Sequence, residues 1–275
     1  DNIYVAAIFP QAKPGVFFPM HQSGVDLTEA GARNLMALMY PGESWLAEKA
    51  RLCFPEGGGP LHWAFFRIPD QGMPDYQSLL DLKQRIREAS GVGNHSIHIT
   101  DTREEALRLV HALLNANSLD WLNRGGHFHR GHFTAAESCI DGSAVLEAYG
   151  LREARDIDYL AWPDALGSHN VEAAQHHAYH PSDIVYNPER HFWMGDTKVA
   201  TPEVVRAMKE RRGEPKDLTD LELLGPRPDK PVLVNYVYEH LQRPYAEHRG
   251  NCSVALTATP VEGADLYAYQ DAHSY

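Results

Sequence analysis

The sequence predicts an α/β chain of the α+β kind, built as an N-terminal α/β module over residues 1–124 and a second domain over residues 125–275. Three observations predict it. Short apolar runs punctuated by Pro and Gly read as strands. Helix, strand and helix alternate between Tyr76 and Asn115. Farther on, a Gly-Ser turn opens a helix that Gly150 ends, and a run carrying two aspartates follows.

Ile3 to Phe9 and His62 to Phe66 are the first two apolar runs, the second preceded by Gly57-Gly58-Gly59-Pro60. Between them Leu35, Leu38, Met39, Trp45, Leu46 and Ala50 suggest two short helices, divided at Pro41-Gly42. From Tyr76, the residues Leu79, Leu80, Leu82 and Ile86 mark a helix that stops at Gly91-Val92-Gly93, ahead of the alternating strand Ser96-Ile97-His98-Ile99. Thr102-Arg103-Glu104-Glu105 reads as a capping box opening a helix from Ala106 to Asn115, with Leu107, Val110, Leu113 and Leu114 on one face. Arg124-Gly125-Gly126 marks the joint between the domains. Phe133 to Ile140 and Pro202 to Met208 are expected to be helical, and Val232 to Tyr238 fits either a strand or the start of a helix.

A chain of 275 residues, 43% hydrophobic and 23% charged, can build a sizeable core, and no run approaches the roughly 18 apolar residues of a membrane span. The formal charge of -12 disfavours nucleic acid as a partner, because that affinity comes from Lys and Arg neutralising backbone phosphates. A small, metal-neutralised phosphate ligand remains compatible. Cys53, Cys139 and Cys252 lie far apart without metal-ligand spacing, which predicts reduced thiols. No charged-then-apolar leader follows Asp1, so the expected location is the cytoplasm.

Sixteen histidines include the clusters His127, His129, His132 and His176, His177, His180. No His-Glu-x-x-His pattern accompanies either, so surface or acceptor-pocket roles are simpler than zinc. His95, His98, Thr100 and Asp101 stand where a strand meets a helix start, a place that can bind anions. Capping by Thr102 and Glu105 accounts for Thr102 without a ligand. Trp45, Trp63, Trp121, Trp162 and Trp193 read as core or pocket wall.

The residues that carry chemistry run from Asp141 to Leu160. Gly142 lets the backbone approach a phosphate, and Ser143 offers a hydroxyl at the helix start. On a strand Asp156 and Asp158 point to one face with Ile157 behind them, so both carboxylates can share divalent cations. Mg²⁺ (or Mn²⁺) suits such a pair, since substrate phosphates and water complete its oxygen shell. This order of Gly-Ser, helix and Asp-x-Asp, with the wording Tyr149-Gly150-Leu151-Arg152-x-Ala154-Arg155-Asp156-Ile157-Asp158, resembles the nucleotidyltransferases related to DNA polymerase β. Within them it is most similar to the small bacterial branch that includes antibiotic nucleotidyltransferases and nucleotidyltransferase-like toxins. The resemblance covers about residues 133–224. Lys216-Asp217-x-x-Asp220 resembles a segment closing many small members, where Lys and Asp fix helices against the sheet.

That resemblance implies a mixed sheet with flanking helices, and transfer of a nucleoside monophosphate from a triphosphate such as ATP to a hydroxylated acceptor, with release of pyrophosphate. The favoured acceptor is a small molecule or a glycan precursor. Metal is implied on Asp156 and Asp158, together with a third acid on a later strand that also serves as candidate general base. Asp183, leading Ile184-Val185-Tyr186, is the best match for that acid and Asp196 the second. Gly142 and Ser143 would grip the β,γ-phosphates, and Lys198 or Lys209 would reach phosphate. Two other readings stand beside this one: transfer of a different phosphate-linked group on the same fold, and a non-catalytic nucleotide- or partner-binding module of a larger protein.

Overall fold

Ile3–Ile8 (β1) is buried along its described length, the pattern of a strand covered on both faces. The computed structural model describes residues 3–12, 22–67, 75–126, 137–162 and 174–226, and the backbone of 234–236, 255–260 and 267–270. These residues form a mixed α/β fold with two sheets. The chain divides into one unit of Asp1–Val110 with Val232–Tyr275 and a second of His111–Pro231, not at residue 124. The reason lies in which side chains bond: Trp121 Nε1 donates to the Ala148 carbonyl at 2.8 Å, and Asn115 and Asn117 donate to the carbonyls of Pro188 and His191. Those bonds attach residues beyond His111 to the second unit.

In the first unit β1 lies between Gly59–Arg67 (β3) and Ile97–Ile99 (β4), antiparallel to both. Gln22–Leu27 (β2), a strand the sequence pattern did not suggest, borders β3 and in turn carries Val234–Tyr236 (β9). Residues 232–238 therefore contain a strand, not a helix start. Ala255–Pro260 (β10) also joins β3, and Tyr267–Gln270 (β11) joins β10. Tyr4, Ala6, Ile8, Phe66, Ile97 and Ile99 share a buried cluster with Leu79 and Ile86 of Asp75–Ser90 (α3). Glu29–Met39 (α1) and Leu46–Cys53 (α2) are the two expected short helices, and Thr28 Oγ1 caps the first by accepting from Gly31 N–H. The candidate anion position is occupied by protein. Thr100 Oγ1 accepts from Val5 N–H, and His98 lies between Tyr40 and Glu105, 2.8 Å from each. Glu105 N–H donates to Thr102 Oγ1 and its carboxylate accepts from Asp101 N–H, opening Arg103–Leu113 (α4).

Ala116–Arg124 (α5) begins the second unit's helices. Its sheet has the order β6-β5-β8-β7, formed by Ser138–Asp141 (β5), Asp158–Ala161 (β6), His191–Met194 (β7) and Thr197–Ala200 (β8). Only β5 with β8 is parallel. Residues 138–140 were expected to be helical, but Ser138, Cys139 and Ile140 are buried and pair with β6, with Ile140 also paired to Val199 of β8, which suits a central strand. Residues 127–136, with His127, His129 and His132, lie outside the described residues, as does Cys252. Ser143–Ala148 (α6) follows β5, and Pro181–Tyr186 (α7) precedes β7. The expected strand at Asp183 is thus a helix, since Pro181 occupies its first turn and His180 accepts from Ser182 N–H as its cap. Asp196 sits in the two-residue turn between β7 and β8. Pro202–Arg212 (α8) and Pro215–Leu224 (α9) complete the unit, separated by Gly213 in the left-handed region. Among the described residues no helix is long and apolar enough to cross a membrane.

Candidate functional site

Gly142 carries the chain from β5 into α6 at φ +66°, a backbone that L side chains rarely adopt. A β-carbon there would also stand 2.9 Å from Asp158 Oδ2. Glycine is therefore what lets the Asp158 carboxylate lie against the turn. The segment returning to β6 is tied down along its length. Gly150 N–H donates to Glu147 O, Leu151 N–H to Leu146 O, and Ala154 N–H to Glu147 Oε2 at 2.7 Å. Arg152 makes two hydrogen bonds to Asp220, at 2.6 and 2.8 Å, which connect this segment to α9.

A cavity of about 540 Å³ opens at this point. Gly142, Ser143, Asp156 and Asp158 line it, so four of the residues singled out from the sequence meet there. Asp156 precedes β6 and Asp158 begins it, so the expected strand alternation holds only from Asp158 onward. Lys209 lines the cavity as well, with its Nζ held 2.7 Å from Asp220 and 3.2 Å from Asp217. Asp183 and Lys198 do not line it. Asp183 is exposed in the first turn of α7. Lys198 is buried and donates to the Val185 carbonyl at 2.8 Å, with its Nζ over the Tyr186 and Trp193 rings. Burial lowers its pKa, so this ammonium serves the core beside β8.

The rest of the wall was not foreseen. Arg152, Arg155, Arg212 and Lys216 add cations, and Met208, Thr219 and Asp220 fill between them. The signal was present in Arg152-x-x-Arg155 ahead of the acidic pair, and in Arg212 and Lys216 flanking Gly213. Arg152 and Lys209 share Asp220. Arg212 is held by two bonds to Asp217, at 2.6 and 2.9 Å, and Lys216 lies 2.9 Å from Glu214. Burial alone would raise the Asp217 carboxyl, yet hydrogen bonds from Arg212 and Lys209 bring it down to about 2. Arg155 and Asp156 are exposed and pair with no described residue. The cavity thus brings the carboxylates of Asp156 and Asp158 together with cations, of which Arg152, Lys209 and Arg212 are held by the buried Asp217 and Asp220.

Among the described residues no group of three or more His, Cys, Asp or Glu side chains could hold a metal ion. A dedicated all-protein cage is therefore not what Asp156 and Asp158 offer. Asp156 and Asp158 both line the cavity, and carboxylate oxygens are the donors Mg²⁺ or Mn²⁺ takes when phosphates and water complete its shell. The cavity's cations fit the phosphates themselves. Elsewhere His177 bonds to Asp141, and His180 packs edge-on against Trp162 while capping α7. Comparison with family models, with curated proteins and with solved structures finds no match for this chain.

Proposed function

We propose that the second unit is a metal-dependent nucleotidyltransferase related to the DNA polymerase β superfamily. The observation that carries this reading is the meeting of Gly142-Ser143, Asp156 and Asp158 in one cavity faced by Arg152, Arg155, Lys209, Arg212 and Lys216. Asp156 and Asp158 would hold Mg²⁺ or Mn²⁺ together with phosphate oxygens. Bound there, the cation supplies charge neutralisation on the triphosphate. The arginines and lysines bind the remaining phosphate charge, and the Ser143 hydroxyl donates to a phosphate oxygen. An acceptor hydroxyl oxygen then attacks the α-phosphorus, the bond to the bridging oxygen breaks, and pyrophosphate leaves. The hydroxyl proton passes to the carboxylate wall. Catalysis of this kind is positioning and charge stabilisation, which a preformed, scaffolded cavity provides. We favour a small hydroxylated molecule or glycan precursor as acceptor, and the cytoplasm as the place where triphosphate and Mg²⁺ are both supplied.

One observation favours a second reading. The cavity's described wall has two carboxylates suited to metal, with Asp220 committed to Arg152 and Lys209, and no separate base. A site with that inventory also suits nucleotide binding without turnover. The test is Mg²⁺-dependent binding of the four nucleoside triphosphates and pyrophosphate release with pooled hydroxylated acceptors, for the intact protein and for Asp156→Asn/Asp158→Asn. Release that falls by about a hundredfold or more in the double variant is expected. Metal-dependent binding without release supports the non-catalytic reading, and no metal-dependent binding of any nucleotide sinks both.

A further inference from the structure

Asp141 ends β5 directly opposite Asp158, the first residue of β6. Side chains so paired lie about 5 Å apart on one face, where like charges repel. Asp141 is nevertheless buried, with its side chain 2% exposed, one residue before Gly142. Its Oδ2 lies 2.7 Å from Nε2 of His177, whose side chain is 0% exposed. A carboxylate only accepts, so the Nε2–H donates. Among the described residues, the bond to His177 is the contact that restrains the Asp141 carboxylate. The main chain of His177 meets α8, the helix that brings Met208, Lys209 and Arg212 to the cavity: its carbonyl accepts from Arg211 Nη1 at 2.8 Å.

We propose that His177 is a positioning residue that sets the spacing between the two walls of the cavity, holding the acidic strand through Asp141 and the cationic helix through Arg211. This rests on the metal-nucleotide reading above. Its consequence is that His177, beside the Arg152–Asp220 tie, keeps a cation on Asp156 and Asp158 and phosphates on α8 within reach of one ligand. Mn²⁺ and ATP then bind cooperatively, each favouring the other, and loosening His177 uncouples them before it removes either site.

The experiment measures ATP affinity of the full chain by calorimetry with and without Mn²⁺, for wild type, His177→Ala, His177→Gln and Arg211→Ala, alongside their melting temperatures. Wild type is expected to bind ATP more tightly with Mn²⁺, and His177→Ala to lose about tenfold or more of that gain, the scale on which small misplacements act. His177→Gln restores an amide donor toward Asp141 and should recover the gain. A pair that only stabilises the fold would lower the melting temperature and leave the gain of the folded protein unchanged, which overturns the proposal. If His177→Ala does not fold, Arg211→Ala at its exposed position decides the matter: a reduced gain supports the spacing role, and an unchanged gain overturns it. Absence of any Mn²⁺ effect in wild type overturns the metal-nucleotide reading as well, so the two failures are distinguishable.

Discussion

At Gly142 a positive φ and the nearby Asp158 carboxylate coincide, so a methyl group meets two penalties at one position. Gly142→Ala is expected to destabilise by about 1–3 kcal/mol through the backbone alone, and to weaken metal-dependent nucleotide binding as Asp158 is displaced. Chemical denaturation and calorimetry on the same variant separate the two effects. His191 makes a different kind of prediction. Burial is the main reason its pKa falls from 6.5 to about 4, with the nearby Lys198 and His111 charges adding to it, although the bond from its Nδ1–H to the Ile184 carbonyl opposes the shift. A depressed folded pKa means the unfolded chain takes up the proton first. The stability associated with neutral His191 is thus complete above pH 6.5 and is lost as pH falls toward about 4. The melting temperature is expected to drop across that window, with a shallower slope in His191→Asn, where the side-chain amide keeps the bond without titrating. An equal slope in both proteins removes His191 as the cause.

Helices α8 and α9 are joined by a buried network in which Lys209 contacts Asp217 and Asp220, Arg212 contacts Asp217, and Arg152 reaches Asp220 from the far side. Removing one member leaves opposite charges without a partner in the interior. Asp217→Ala is expected to cost about 3–5 kcal/mol at neutral pH, measured by denaturant unfolding, with the cost shrinking as the medium is acidified. Because the folded Asp217 carboxyl lies at about 2 against an ordinary 3.8, its contribution persists above pH 3.8 and disappears as pH falls toward 2. How far such elements were legible differs with the range of the forces that make them. Lys-Asp-x-x-Asp, by its resemblance, was expected to fix helices against the sheet and its acids instead hold α8 to α9, while the Gly-Ser turn and Asp-x-Asp, expected at one phosphate site, line one cavity. Arg152 as the partner of Asp220, 68 residues away, left no local trace. Asp183 was misplaced because its apolar run suits a strand or a helix equally, and the choice fell to Pro181 and the His180 cap. Ser138 to Asp141 was misread for the related reason that a short, fully buried strand has no alternation to display. Lys198 is a cation on a strand, and only the surrounding Tyr186, Trp193 and Val185 carbonyl reveal that it points into protein.

Along the whole chain, residues 111–231 form a continuous segment, whereas the unit that brackets them is assembled from both ends of the sequence. The candidate site is confined to the continuous segment. A fragment of residues 101–231, which retains all of α4, is therefore expected to unfold cooperatively and to bind nucleotide and metal as the full chain does. A fragment that shows no cooperative transition by circular dichroism contradicts this. The bracketing sheet is in the opposite position, because β9 lines β2, and β10 lines β3, only after the second unit has been made. On the ribosome, the catalytic candidate can reach its native state while its companion still presents raw strand edges, which invite adhesion to any neighbouring chain. The nascent protein thus carries a timed liability, opened by the synthesis of β2 and β3 and closed only when β9 and β10 emerge.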